Sequence, residues 1–85
     1  MTYRIEWKRR ALKQVNALER KTRERVIAAL ERLAATGQGD VTKLVDVDPP
    51  EYRLRLGTLR VRFARDDAER LLTILRVLPR GGADR

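Results

Sequence analysis

Between Tyr52 and Phe63 the chain reads YRLRLGTLRVRF, with apolar and basic residues in strict alternation on either side of Gly57 and Thr58. A period of two is the pleat of a β-strand, so Tyr52, Leu54 and Leu56 fall on one face and Arg53 and Arg55 on the other. After the turn, Leu59, Val61 and Phe63 share one face and Arg60 and Arg62 the other. A two-residue loop in which Gly57 supplies the positive φ of a II′ turn sets Leu56 opposite Leu59. Arg55 then faces Arg60, and Arg53 faces Arg62.

Like charges directly opposite on one sheet face destabilise it by about 0.2–1 kcal/mol per pair. One reading of this face is an exposed surface that uses cations for solubility and edge protection. Such a surface ordinarily mixes in Glu or Lys. This one holds arginine alone, the residue whose planar fork grips phosphate bidentately, and an anionic ligand is the reading it favours.

Eighty-five residues suit one domain with a modest core and leave no room for a sizeable buried cofactor pocket. The chain contains no Cys, which excludes disulfides, thiolate nucleophiles and thiolate metal sites, and no His, the usual general base and commonest metal ligand. A formal net charge of +8 favours nucleic acid or another polyanion as partner. The start, MTYRIEWKRR, has no apolar signal core, and no run approaches the roughly 20 apolar residues of a membrane span. The expected location is the cytoplasm, with no membrane partner.

Tyr3 to Trp7 alternates Tyr3, Ile5 and Trp7 against Arg4 and Glu6, a first strand with one buried face. From Lys8 the period changes: Ala11, Leu12, Val15 and Leu18 recur at helical spacing, with Lys13, Gln14 and Asn16 on the wet side, giving a helix over residues 8–18. A second helix has Val26, Ile27, Leu30, Leu33 and Ala34 as its stripe, Glu19 with Arg23 and Arg20 with Glu24 spaced for i,i+4 pairs, and Gly37 at the left-handed cap. Gln38 to Pro50 is open between a short strand near Val41 to Val47 and an extended loop. Asp66 to Glu69 is a polar turn. Arg70 to Leu78 is the last strand, and its run LLTIL, without clean alternation, reads as a central strand buried on both faces.

The order β-α-α-β-β-β predicts an α+β fold, a helical hairpin packed on a small, mostly antiparallel sheet. Residues 1–80 form the single domain and 81–85 a flexible tail. The expected core is Ile5, Trp7, Leu12, Val15, Leu18, Val26, Ile27, Leu30, Leu33, Leu54, Val61, Phe63, Leu72 and Ile74. Trp7 has an alternative role as a base-stacking platform, but it shares the register of Ile5 and belongs with the core. Tyr52, on the face of Leu54, does too.

That element order, the tract from Tyr52 to Val61 and a last strand ending Leu75-Arg76-Val77-Leu78-Pro79-Arg80 resemble the RelE/ParE superfamily of type II toxin-antitoxin toxins. The resemblance covers nearly the whole chain, and its most specific piece is the signature YRLR-x-G-x-x-R, common to both branches. The RelE-like branch consists of ribonucleases that cut messenger RNA in the ribosome; the ParE-like branch poisons DNA gyrase without known hydrolysis. Both are neutralised by a cognate antitoxin. The RelE-like reading, favoured here, implies Arg60 and Arg80 as catalytic residues and Arg53, Arg55, Arg62 and Lys43 as phosphate-binding ones. The reaction it implies is attack of a ribose 2′-hydroxyl on the adjacent phosphorus, with no metal and no other cofactor.

Two departures stand against that branch. The tyrosine that follows the family's last arginine has no counterpart before Arg85, and the C-terminal helix of some members is missing. Guanidinium is a poor general base, which leaves Tyr52, Lys43 and Glu51 as candidates. A gyrase poison and a basic binding module without catalysis remain the alternatives.

Overall fold

The computed structural model describes residues 2–79, and its elements run β1 (Arg4–Trp7), α1 (Arg9–Asn16), α2 (Arg20–Thr36), β2 (Asp40–Lys43), β3 (Tyr52–Leu56), β4 (Leu59–Asp66) and β5 (Leu71–Pro79). The segment left open between strand and loop supplies β2, so four strands follow the helices. The sheet order is β1-β5-β4-β3-β2, with β1 parallel to β5 and every other pair antiparallel. This is the expected α+β architecture. The tail 81–85 lies outside the described residues.

The β3–β4 hairpin has the register its alternation predicts: Leu56 pairs with Leu59, Arg55 with Arg60, and Arg53 with Arg62. Gly57 has a φ of 59°, the left-handed value that the tight turn needs and that a side chain resists. Gly37 caps α2 in the same region, φ 77°, and its N–H donates to the Leu33 carbonyl at 2.8 Å. Arg20 and Glu24 approach to 3.6 Å on the exposed face of α2.

One layer of core joins helices to sheet. Ala11 and Val15 of α1 and Val26, Leu30, Leu33 and Ala34 of α2 pack on Leu54, Leu59, Val61, Phe63, Leu72, Ile74 and Val77. Ile5, Trp7, Leu18 and Tyr52 are partly buried against that cluster, which settles Trp7 as a packing residue. Tyr52 stacks on Phe63 with ring centroids 5.6 Å apart, and the Arg65 guanidinium lies 4.9 Å from the Tyr52 ring centre.

Two expected core residues are not in it. Leu12 is 45 % exposed and Ile27 37 % exposed, because the narrow stripe each helix turns to the sheet is filled by Ala11 and Val15 on α1 and by Val26, Leu30, Leu33 and Ala34 on α2. Gln14, expected on the wet side, is half-buried and does structural work. β1 leaves the sheet after Trp7, and the Val77 N–H, beyond the end of that pairing, donates to Gln14 Oε1 at 2.7 Å. The side chain completes a ladder that the departed strand leaves open.

The irregular pattern of the last strand has a cause other than burial on both faces. β5 is an interior strand, but its pairing with β4 shifts between Arg62 and Phe63: Arg62 faces Arg76 while Phe63 faces Ile74. Leu75 is the extra residue of a β-bulge, which reverses the alternation beyond it. Leu72 and Ile74 face the helices, and so does Val77, while Arg76 and Leu78 turn to the other side. Leu78 is nevertheless buried.

The β4–β5 turn is tied to the N-terminal segment. The Tyr3 hydroxyl donates to Asp67 Oδ1 at 2.6 Å, and Arg65 Nε lies 3.0 Å from the same oxygen. Among the described residues, no helix is long and apolar enough to cross a membrane.

Two measurements check this packing. Ile74→Val, at a fully buried site, should cost about 0.5–1.5 kcal/mol in urea unfolding, whereas Leu12→Ala should change stability by no more than about 0.5 kcal/mol. Equal costs would contradict the assigned helix face. The Tyr3 phenol is raised above its ordinary 10.0, chiefly by the hydrogen bond to Asp67, then by desolvation and the Asp67 charge, against lowering by Arg65 and Arg70. Its contribution is therefore full below the ordinary phenol value and lost as pH rises through the raised one. Asp67→Asn should bring the Tyr3 phenolate transition to lower pH in an ultraviolet titration.

Candidate nucleic-acid interface

The face of the sheet opposite the helices carries two rows that cross β2 to β5, and beyond them Ala64, Thr73 and Glu6, then Asp66, Leu71 and Arg4, continue it onto β1. Asp40, Arg55, Arg60 and Leu78 occupy one row on β2, β3, β4 and β5, and Thr42, Arg53, Arg62 and Arg76 occupy the next. Pleating puts these positions on one side because their neighbours Val41, Leu54, Val61 and Val77 point to the core. Five arginines thus stand on three adjacent strands. Three like-charged pairs face each other across them: Arg55 with Arg60, Arg53 with Arg62, and Arg62 with Arg76.

The bulge at Leu75 is what brings the fifth arginine here. In an unbroken strand Arg76 would share the side of Leu72 and Ile74, where a guanidinium has no place. Spacing alone does not single out Arg76, because a break in the alternation of β5 also fits a strand buried on both faces. Arg62 and Arg76 are each half-buried, and the Nε of both is buried with no hydrogen-bond partner among the described residues.

Arg53, Arg55, Arg60 and Arg62 are therefore brought together as the alternation predicts. Lys43 is not. It is exposed at the end of β2, paired with Tyr52, and so lies in the register of the helix side. Tyr52 itself, stacked on Phe63, belongs to that side too, which removes it as a base aimed at a ligand on the arginine face. Arg80 lies outside the described residues. Asp40, which the sequence reading passed over because its segment was undecided, stands in the row of Arg55 and Arg60.

A cleft of about 360 Å³ runs between α2 and the β2–β3 edge, lined by Arg25, Arg32, Ala28, Ala29, Leu54 and Arg55 among others. It is open, basic at its rim and apolar at its floor. Among the described residues, no cluster of acidic side chains is placed to hold a metal ion.

Comparison with known proteins gives the arrangement a lineage. The family described as ParE toxin of type II toxin-antitoxin system, parDE, matches residues 5–83. Among solved structures, the archaeal RelE–RelB complex from Pyrococcus horikoshii OT3 is similar with a TM-score of 0.81 and 28 % identity, over 95 % of this chain and 98 % of that one. A variant of the Escherichia coli toxin RelE in the free state has a TM-score of 0.80 and 22 % identity, over 99 % of this chain and 88 % of that one. The toxin-antitoxin complex RelBE2 of Mycobacterium tuberculosis has a TM-score of 0.79 at 22 % identity, over 94 % of this chain and all of that one (100 %). No sequence match is found among curated proteins. With the family pattern matched over nearly its whole length and the fold repeated throughout, the chain belongs to the RelE/ParE superfamily of type II toxin-antitoxin toxins.

Proposed function

We propose that this toxin is a ribosome-dependent messenger ribonuclease whose phosphate-handling surface is the arginine face, and that a cognate antitoxin neutralises it. The observation that carries the reading is the gathering of Arg53, Arg55, Arg60, Arg62 and Arg76 on one side of the sheet. A surface with this density of guanidinium forks suits a chain of phosphates. The partner reading draws on the relatives: the Pyrococcus and Mycobacterium toxins were each solved in complex with an antitoxin.

In the proposed reaction the ribose 2′-oxygen forms a bond to phosphorus as the bond from phosphorus to the 5′-oxygen breaks. The products are a 2′,3′-cyclic phosphate and a 5′-hydroxyl; the 2′-hydroxyl gives up a proton and the leaving oxygen gains one. Arg60, joined by Arg80, holds the phosphorane oxygens as their charge develops, and a donor in that role is worth about 2.7–4 kcal/mol. Arg53, Arg55 and Arg62 position the strand, and Lys43, in the register of the other side of the sheet, takes no part on this face. Proton transfer falls to groups outside the guanidiniums, which stay charged at every accessible pH. Asp40 stands in the Arg60 row by register, and Glu51 lies two residues before Arg53 in sequence. The ribosome supplies in-line positioning of the 2′-hydroxyl, which is itself worth several kcal/mol.

Gyrase inhibition is the second reading. It is favoured by the ParE description of the matching family and by the packing of Tyr52 away from the arginine face. It requires a docking surface and no acid-base set.

One experiment separates the two. In a translation extract with ribosomes, Arg60→Ala should lower messenger cleavage about 10²–10³-fold while the circular dichroism spectrum stays native. Arg60→Lys keeps the charge and loses the fork, so cleavage should stay well below wild type. Inhibition of gyrase supercoiling by the wild-type protein, with messenger left intact, would overturn the ribonuclease reading.

A further inference from the structure

We infer that Arg62 and Arg76 form a second phosphate site, one nucleotide step from the Arg55–Arg60 row, so that the face grips two consecutive phosphates of a single strand. The inference rests on the nucleic-acid reading above and adds a position to it.

Three observations carry it. First, Arg62 and Arg76 are direct cross-strand partners, and the Leu75 bulge is what sets them opposite each other. Cross-strand Cβ atoms stand about 4.5–5.5 Å apart, so the two forks can close on one anion from both sides. Second, both Nε atoms are buried without a hydrogen-bond partner among the described residues. Their row, Thr42, Arg53, Arg62 and Arg76, holds no carboxylate, and the rows on either side hold Asp40 and Glu6. An enclosed donor without an acceptor is relieved when its side chain turns outward to an acceptor from outside the protein. Third, the Arg55–Arg60 and Arg62–Arg76 pairs are offset by two residues along β4, about 6.6–6.8 Å, and by one strand across it, about 4.7–4.9 Å, a diagonal that long arginine side chains can span to reach successive phosphates of one strand.

The geometry also selects the kind of anion. A planar carboxylate takes a single guanidinium fork in its own plane. A phosphodiester is tetrahedral, and its unbridged oxygens present lone pairs in several planes, so two forks arriving from adjacent strands fit it better than they fit an acidic side chain.

The test is binding of labelled oligoadenylate to the intact protein by fluorescence anisotropy at low salt, with Arg62→Gln, Arg76→Gln and the double variant. Both glutamines remove like charge at half-buried positions while keeping a polar side chain there, and circular dichroism checks that the fold survives. Each single variant should bind about tenfold more weakly, and the double variant little worse than either, because both arginines hold the same phosphate. The salt slope should fall in magnitude by about 0.7, the loss of one neutralised phosphate. Additive losses of less than about twofold with an unchanged slope would overturn the site. So would undiminished oligoadenylate binding accompanied by lost affinity for polyglutamate, which would make the pair a docking point for an acidic protein segment. Arg60→Ala serves as the separating arm: if it weakens RNA binding and the glutamine variants do not, only the second site falls. If wild-type protein binds no oligoadenylate, the nucleic-acid reading falls with it.

Discussion

The register of the β3–β4 hairpin is the constraint on which everything else in this domain depends. With Leu56 opposite Leu59, the apolar set Leu54, Leu59, Val61 and Phe63 meets the helices and the arginines take the other side of the sheet. A slip of one residue would exchange the two sets, driving guanidiniums into the core and the core into water. No intermediate arrangement exists, because the side-chain period is two. The turn enforces the choice through Gly57, whose left-handed backbone fixes where the strands begin to pair.

A second device extends what the hairpin starts. β5 must satisfy the helices through Leu72, Ile74 and Val77, two positions of even number and one of odd, which a regular strand cannot do. The bulge at Leu75 reconciles them and, as a consequence, delivers Arg76 to the open face beside Arg62. Packing on one side of the sheet and charge on the other are set by the same extra residue. Bulges commonly occur beside functional sites because they re-aim side chains in this way. The stability lost to opposed arginines is offset by the single continuous core beneath them, where Phe63, Ile74 and Val61 are almost wholly enclosed.

Much of this was legible in the chain because periodicity reports which side of an element is buried. The hairpin register, the Gly37 cap and the helix-on-sheet layering followed from spacing alone. Leu12 and Ile27 misled because a helical stripe is wider than the strip of sheet available to it, and only tertiary contact decides which of its residues touch. Gln14 was opaque for a different reason: its role depends on where β1 departs, which is set by a pairing that sequence does not display. Arg76 was concealed by the bulge. Sequence resemblance carried the family, and the structure then separated Lys43 and Tyr52 from the arginines they had been grouped with or considered beside.

The central claim is that the arginine face is held at a cost to the fold and is relieved by a nucleic-acid phosphate. Thermal unfolding at low ionic strength, with and without oligoadenylate, tests it most directly when wild type is set beside Arg62→Thr/Arg76→Thr. The account predicts that the variant alone melts above wild type, and that RNA raises the melting temperature of wild type, as a ligand of the folded state must, while moving the variant much less. A variant that melts lower than wild type, together with a wild type indifferent to RNA, would contradict it.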